Sequence, residues 1–111
     1  MFDARQTRTV SSELQHPDLS EIDLPSLLHA LSDPVRLEIV RTLSELNECA
    51  CGAIELPVSK ATASHHFKVL RQAGVIAQHD IGTRRFSQLR QEELEQRFPG
   101  LLTSVLQAAN A

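Results

Sequence analysis

The chain has 111 residues, of which 41% are hydrophobic and 23% are charged, and its net charge is −3. These values are ordinary for one globular domain. Two cysteines are too few for a disulfide-rich scaffold, no apolar run is long enough to span a membrane, and no apolar stretch follows the N-terminal charges as in a secretory signal. We therefore expect a cytoplasmic protein in a reducing compartment, with no membrane partner.

The charge is unevenly distributed along the chain. Residues 59–90 hold six basic residues and one acidic residue, Asp80, whereas the remainder holds five basic and thirteen acidic residues. A basic segment on an acidic body indicates a local anion-binding face. The alternative is an ordinary solvated surface, and charge alone does not separate the two interpretations.

The first half of the chain predicts an arm followed by two helices. Residues 1–20 are polar and weakly periodic, and we assign them to an N-terminal arm; residues 21–111 form the predicted folded domain. Residues 31–46 predict a second helix, because Ser32 or Asp33 can cap it and Pro34 suits its first turn. A first helix is predicted from leucines spaced i, i+3, i+4 and i+7, namely Leu24, Leu27, Leu28 and Leu31.

Two further helices are predicted in the middle of the chain. Residues 47–56, which contain both cysteines, predict a short third helix with Asn47 as its cap and Pro57 as its end. Residues 59–74 give the clearest helical pattern, with Ser59 as cap and Gly74 as C-terminal stop.

The C-terminal part predicts a hairpin and then helix. Residues 75–80 and 84–90 alternate in the manner of strands around a turn at 81–83, and the second strand is rich in arginine. Residues 91–98 and 101–109 resume the helical pattern on either side of a Pro-Gly interruption. The order predicts an α+β, mainly α, fold of about five helices with a β-hairpin.

One face of the predicted helix 59–73 is suited to DNA. At 100° per residue, Ala61, Ser64, His65 and Lys68 share a polar face of small and basic residues, which can enter a major groove closely. His66 falls nearer the core, and we predict a packed, hydrogen-bonded histidine there. The residues predicted to contact DNA, including the arginines of the hairpin, are Ser59, Lys60, Ala61, Thr62, Ser64, His65, Lys68, Arg71, Arg84 and Arg85.

Two motifs resemble the ArsR/SmtB family of bacterial winged helix-turn-helix repressors. They are Asp-Pro-x-Arg-Leu at residues 33–37 and the pattern of Ser59, Ser64, His66 and Leu70, and the resemblance covers about residues 25–98. It implies double-stranded DNA as partner, with residues 59–73 in the major groove, the hairpin as a wing, and a homodimer on an imperfect inverted repeat operator. The apolar residues of the C-terminal helix, Leu101, Leu102, Val105 and Leu106, are the predicted dimerisation stripe.

The cysteines leave three interpretations open. Cys49-Ala50-Cys51 resembles the Cys-x-Cys of the family's metal sensors, so a thiophilic metal is one, with His16 as an additional ligand. Thiol oxidation or reaction with an electrophile is the second, and it needs fewer groups. The third is that both thiols are packing residues. The family's other metal site, of Asp and His on the C-terminal helix, is excluded, since none follows Asp80.

The sequence favours one class of function over the others. No nucleophile elbow, phosphate-binding loop or metal-hydrolase spacing is present, so we predict no enzymatic activity. The preferred hypothesis is a DNA-binding transcriptional regulator, an autoregulated repressor released by thiol or metal chemistry at Cys49 and Cys51. The alternatives are a winged-helix regulator without cysteine-based sensing, and a small interaction module that does not bind DNA.

Overall fold

A helical body carries a small antiparallel sheet in the computed structural model, which describes residues 14–110. Most of the predicted arm, residues 1–20, lies outside the described residues. The elements in chain order are α1 (Leu24–Ala30), α2 (Pro34–Glu45), β1 (Cys49–Ala50), α3 (Lys60–Gln72), β2 (Ile76–Ile81), β3 (Arg84–Leu89), α4 (Gln91–Arg97) and α5 (Leu101–Ala109). The prediction of an α+β fold with five helices and a hairpin is confirmed.

The first two helices begin at the residues that the sequence indicated. The side chain of Asp23 accepts a hydrogen bond from the backbone N–H of Ser26 and caps α1. Asp33 caps α2 by accepting from two backbone N–H groups, those of Val35 and Arg36. These acceptors satisfy N–H groups that have no partner within the helix. The buried face of α2 is supplied by Ile39, Val40 and Leu43.

Helix α3 has a hydroxyl cap and a glycine stop, as predicted. Ser59 Oγ accepts from the N–H of Thr62 at 3.2 Å. Beyond the helix, Gly74 adopts φ +88° and the N–H of Val75 reaches back to the carbonyl of Leu70 at 2.9 Å. A Cβ at position 74 would lie 2.5 Å from Ile22 Cγ1, so both backbone conformation and close packing require glycine here.

The hairpin continues directly from this stop. Strands β2 and β3 pair from Ile76 opposite Leu89 to Ile81 opposite Arg84, with a two-residue turn in which Gly82 adopts φ +62°. Strand β1 pairs with the other edge of β3, which gives the sheet order β1-β3-β2.

The predicted helix over residues 47–56 is wrong. Cys49 and Ala50 are extended and pair with Ser87 and Phe86 of β3, and only Cys51–Ala53 forms a single 3₁₀ turn. A helix this short is marginal by itself, and Gly52 weakens it further. Hydrogen bonds to the free edge of β3 satisfy this backbone instead, so Cys49 is not in the first turn of a helix.

The segment before α1 contacts the domain. The backbone N–H of Gln78 donates to His16 Nε2 at 2.9 Å, Arg90 donates to the carbonyl of Pro17 at 2.9 Å, and Leu19 packs against the core. The described part of the predicted arm therefore lies against β2 and the start of α4.

Helices α1 and α5 both carry apolar residues that are not fully buried. Leu102 of α5 is buried, whereas the other members of the predicted stripe, Leu101, Val105 and Leu106, are only partly buried. On α1, Leu24 and Leu28 are 42% and 45% exposed. Among the described residues, no helix is long and apolar enough to cross a bilayer.

Candidate nucleic-acid interface

Helix α3 presents the polar face that the sequence predicted. Phe67 and Leu70 are buried against the core, and His66 is buried beside them. The opposite side of the helix is exposed to solvent and consists of Lys60, Ala61, Thr62, Ser64, His65 and Lys68. Because these side chains are small, polar or basic, the helix can approach a polyanion closely along this side.

His66 ties the helix to the elements behind it, which confirms the predicted packed histidine. Arg36 Nη1 lies 3.2 Å from His66 Nδ1, and Arg36 Nε donates to the carbonyl of Ala30 at 2.7 Å. Arginine only donates, so His66 Nδ1 is the acceptor. The guanidinium also reaches the carbonyl of His29. One buried arginine thereby joins the end of α1, the start of α2 and the middle of α3.

The two wing arginines have different surroundings. Arg84 is exposed, and its guanidinium lies 5.3 Å from the ring centre of Phe86. Arg85 makes two hydrogen bonds to the carboxylate of Asp80, at 2.8 and 3.2 Å. The hydrogen bond from Arg85 is the main reason that the pKa of Asp80 lies below its ordinary value. Asp80 thus neutralises one of the two charges that the hairpin offers to an anion.

A cleft of about 590 Å³, which we call the helix–wing cleft, separates α3 from the hairpin. Its lining includes Cys51, Asp80 and four basic residues, Lys60, Lys68, Arg71 and Arg85. Arg85 of the wing and three basic residues of α3 therefore face a common space, although they are separated in sequence.

Arg71 differs from the other predicted contacts because it is turned toward the sheet. Its Nη1 donates to Gln78 Oε1 at 2.6 Å, and its Nε is buried with no hydrogen-bond partner among residues 14–110. Burial, followed by repulsion from Arg85, lowers the pKa of Arg71 against the opposing effects of Asp80 and Cys51.

The cysteine sulfurs lie in different surroundings. Cys51 Sγ is 3.0 Å from Ser87 Oγ and receives a hydrogen bond from Gln78 Nε2 at 3.3 Å. Among the described residues, Cys49 Sγ makes one weak hydrogen bond, to the carbonyl of Ala50 at 3.5 Å, and packs against the core. Both thiols are free and partly buried.

The residues proposed as metal ligands are not gathered into one site. Nε2 of His16 already accepts from the backbone of Gln78, and burial, followed by Arg71 and Arg90, lowers the pKa of this imidazole. Within the described ranges, no group of three or more His, Cys, Asp or Glu side chains could hold a metal ion. The described residues therefore do not bring together the four ligands of a tetrahedral zinc site.

Gln78 and Ser87 were not among the residues predicted for the site. Both are buried, and Gln78 Nε2 donates to Ser87 Oγ at 3.0 Å. They face each other across β2 and β3. The available signal was the alternation of the strands, which places Gln78 and Ser87 on the same face as the buried Ile76 and Leu89.

Comparison with known proteins identifies the family. A helix-turn-helix domain matches residues 31–79. The uncharacterized HTH-type transcriptional regulator YceK of Bacillus subtilis (strain 168) is 37% identical over 82 residues, which cover 71% of this chain and 82% of that protein. The arsenical resistance operon repressor of Staphylococcus xylosus is 37% identical over 78 residues, covering 69% of this chain and 75% of the repressor. This chain belongs to the ArsR family of winged-helix repressors.

A solved structure agrees with this assignment. The transcriptional repressor BigR from Xylella fastidiosa superposes with a TM-score of 0.57 and 28% identity, and the match covers 78% of each chain. The protein is thus an ArsR-family, DNA-binding transcriptional regulator and not an enzyme.

Proposed function

We propose that this ArsR-family repressor binds an imperfect inverted repeat as a homodimer and leaves it when Cys49 or Cys51 reacts. We also expect it to regulate its own gene. The observation that carries the DNA-binding proposal is the shared basic and polar surface of α3 and the wing on the two sides of the helix–wing cleft.

The exposed residues divide into two roles in this proposal. Ser64 and His65, at the centre of the exposed side of α3, would contact base edges in the major groove. Lys60, Lys68 and Arg84 would hold phosphates. Ser59, Ala61 and Thr62 stand at the N-terminal turn, where backbone N–H groups favour a phosphate. Arg85 and Arg71 contribute charge from the wall of the cleft.

The dimer is proposed from the apolar faces of α1 and α5. Exposed Leu24 and Leu28 and the partly buried Val105 and Leu106 offer apolar area that a second copy would remove from water. A two-fold dimer would present two α3 helices to successive major grooves, about 34 Å apart. That spacing is the reason for expecting an inverted repeat.

The release signal is proposed for the cysteines because of their position. Strand β1 pairs with β3 of the wing, and Cys51 lines the helix–wing cleft. A chemical change at either thiol would therefore act on the wing and on the entrance to α3 together. Couplings of this kind are typically about 1–3 kcal/mol, enough to change operator affinity about 5- to 150-fold. Thiol chemistry is favoured over metal binding because the described residues lack further ligands.

The test begins with selection of a duplex from random-sequence DNA by the reduced protein. Affinity for it is then measured for the wild type and for Cys49→Ser with Cys51→Ser, each reduced, oxidised and metal-loaded. Oxidant should weaken wild-type binding reversibly with a thiol reductant, and the double variant should not respond. A response reversed by a chelator would establish the metal route instead, and identical responses of both proteins would make the cysteines packing residues.

A further inference from the structure

We propose that the helix–wing cleft is a binding site for small anionic disulfides, which form a mixed disulfide selectively with Cys51 and thereby exclude DNA. The inference rests on the proposed function, because it names the thiol, the co-reactant and the reason for release. The co-reactant is the oxidised form of a carboxylate-bearing low-molecular-weight thiol.

The shape and charge of the cleft fit such a ligand. Its volume of about 590 Å³ falls within the range of about 300–1,000 Å³ that is usual for small-molecule sites. Lys60, Lys68, Arg71 and Arg85 line it, with Asp80 as the opposing charge. An excess of basic groups around a concave surface raises the local concentration of anions and the rate at which they arrive.

Arg71 contributes its charge to the wall of this cleft. Its Nε is buried and has no acceptor among residues 14–110, although its Nη1 is bonded to Gln78. The guanidinium of Arg71 lines the cleft, so the charge of a carboxylate bound there would lie beside it.

Two buried side chains of the sheet contact the sulfur of Cys51. Gln78 Nε2 donates both to Cys51 Sγ and to Ser87 Oγ. Cys51 Sγ also lies 3.0 Å from Ser87 Oγ, and either atom can be the donor of that hydrogen bond. Gln78 and Ser87 thereby hold the Cys51 sulfur in a fixed position at the cleft, where its thiolate form can attack a disulfide.

Cys49 lacks these features. It does not line the helix–wing cleft, its sulfur hydrogen-bonds only to the carbonyl of Ala50 among residues 14–110, and the preceding residue is the acidic Glu48. Glu48 Oε2 lies 3.0 Å from His79 Nε2. The chain thus provides its own control thiol, two residues away and outside the basic cleft.

The reaction is a thiol–disulfide exchange that needs no other oxidant. The Cys51 thiolate attacks one sulfur of the ligand, the ligand S–S bond breaks, and a bond forms between Cys51 Sγ and that sulfur. The second half leaves as a thiolate and takes a proton from water. Cys51 is oxidised and the released thiol is the reduced product. The attached carboxylate group would then occupy the space between α3 and the wing.

The chemical test compares two disulfides of similar length and opposite charge, dithiodipropionate and cystamine. Their exchange rates are measured by intact mass with Cys49→Ser, which retains Cys51, and with Cys51→Ser, which retains Cys49. For each variant, the rate with dithiodipropionate is divided by the rate with cystamine. This ratio is then divided by the same ratio for the variant unfolded in urea, which removes the difference in intrinsic reactivity between the two disulfides. Circular dichroism confirms that both variants are folded.

We expect the normalised anion-to-cation ratio to be about tenfold for Cys51 and to fall toward one in about 1 M salt. For Cys49 it should be near or below one. The proposal is overturned if Cys51 shows no preference for the anion, or if Cys49 shows the same preference.

The regulatory half is tested with the selected duplex. The duplex should slow modification of Cys51 but not of Cys49, and the Cys51 mixed disulfide should bind it at least about tenfold more weakly until a thiol reductant is added. Unchanged affinity of the modified protein would overturn exclusion of DNA. If no duplex is bound at all, the proposed function fails, whereas the charge ratio still decides the chemistry of the cleft.

Discussion

Arg36 Nη1 and His66 Nδ1 lie 3.2 Å apart in the interior, and this contact connects the two sequence motifs of the family. Arg36 belongs to the Asp-Pro-x-Arg-Leu motif at the start of α2, and His66 lies on the buried side of α3. Since Arg36 also donates to the carbonyl of Ala30, the orientation of α3 is fixed by hydrogen bonds as well as by apolar packing.

The adjacent histidines provide a matched pair of variants. His66→Ala removes the acceptor of a buried guanidinium and should lower the free energy of unfolding by about 1–3 kcal/mol. His65→Ala alters an exposed residue and should change stability by less than about 0.5 kcal/mol. Urea denaturation measures both. Equal stability of the two variants would contradict the structural role of the Arg36–His66 contact. His65→Ala should instead change the preferred operator sequence, which repeated duplex selection would show.

Alanine substitutions at Gly74 and Gly52 form a second matched pair of variants. Gly74→Ala places a residue in the left-handed region, which costs about 1–2 kcal/mol, and forces its Cβ against Ile22. We therefore expect a loss of stability of more than about 2 kcal/mol. A Cβ at position 52 would meet no neighbouring side chain within 4 Å, so Gly52→Ala should be within about 0.5 kcal/mol of the wild type. Thermal unfolding of both variants checks the expected order, and a Gly74→Ala protein as stable as Gly52→Ala would refute it.

Asp80 should limit the affinity for DNA. Asp80→Asn removes the charge that neutralises Arg85 at 2.8 Å, so Arg85 becomes available to a phosphate. The variant should bind duplex DNA more tightly, and the slope of log affinity against log salt should steepen by about 0.9. Fluorescence anisotropy at several salt concentrations measures this slope. In the double variant Asp80→Asn with Arg85→Gln the gain should disappear; if the gain persists there, Arg85 is not the group that Asp80 restrains.

Asp33 should contribute to acid sensitivity. Burial tends to raise its pKa, but hydrogen bonds from the N–H groups of Arg36 and Val35 outweigh this effect, and the pKa lies below the ordinary value of 3.8. The unfolded chain therefore binds the proton more readily, and the stabilisation is present above the unfolded pKa and lost as pH falls through the folded value. Asp33→Asn keeps a capping oxygen but does not titrate. The decrease in stability from pH 7 to about pH 3 should be smaller for this variant than for the wild type, by urea denaturation; an equal decrease would exclude Asp33 as a source.

Local signals account for what the sequence predicted well. The caps at Asp33 and Ser59, the stop at Gly74 and the alternation of the hairpin each act within a few residues, and the structure follows them. Strand β1 could not be predicted because its two residues are extended only through pairing with β3, far along the chain.

The candidate site likewise contains one part that the sequence predicts and one part that it does not. The exposed side of α3 follows from helical periodicity, so its residues were identified from sequence alone. The helix–wing cleft depends on how β1 and the hairpin pack beside α3, and the contacts of Cys51 with Gln78 and Ser87 join residues that are distant in sequence. No local pattern encodes these contacts. The sequence therefore predicts a helix over residues 47–56, where the structure has a strand and a single 3₁₀ turn.

The central claim is that α3 and the wing form one DNA-binding surface, and the salt dependence of duplex affinity tests it most directly. Lys68→Ala and Arg84→Ala alter an exposed residue on each part of that surface, whereas Arg41→Gln alters a cation that pairs with Glu38 and Glu45 on α2. Each of the first two should reduce the salt slope by about 0.9, their combination by about twice that, and Arg41→Gln should leave it unchanged. Slopes for Lys68→Ala and Arg84→Ala that equal the wild-type slope would contradict the account.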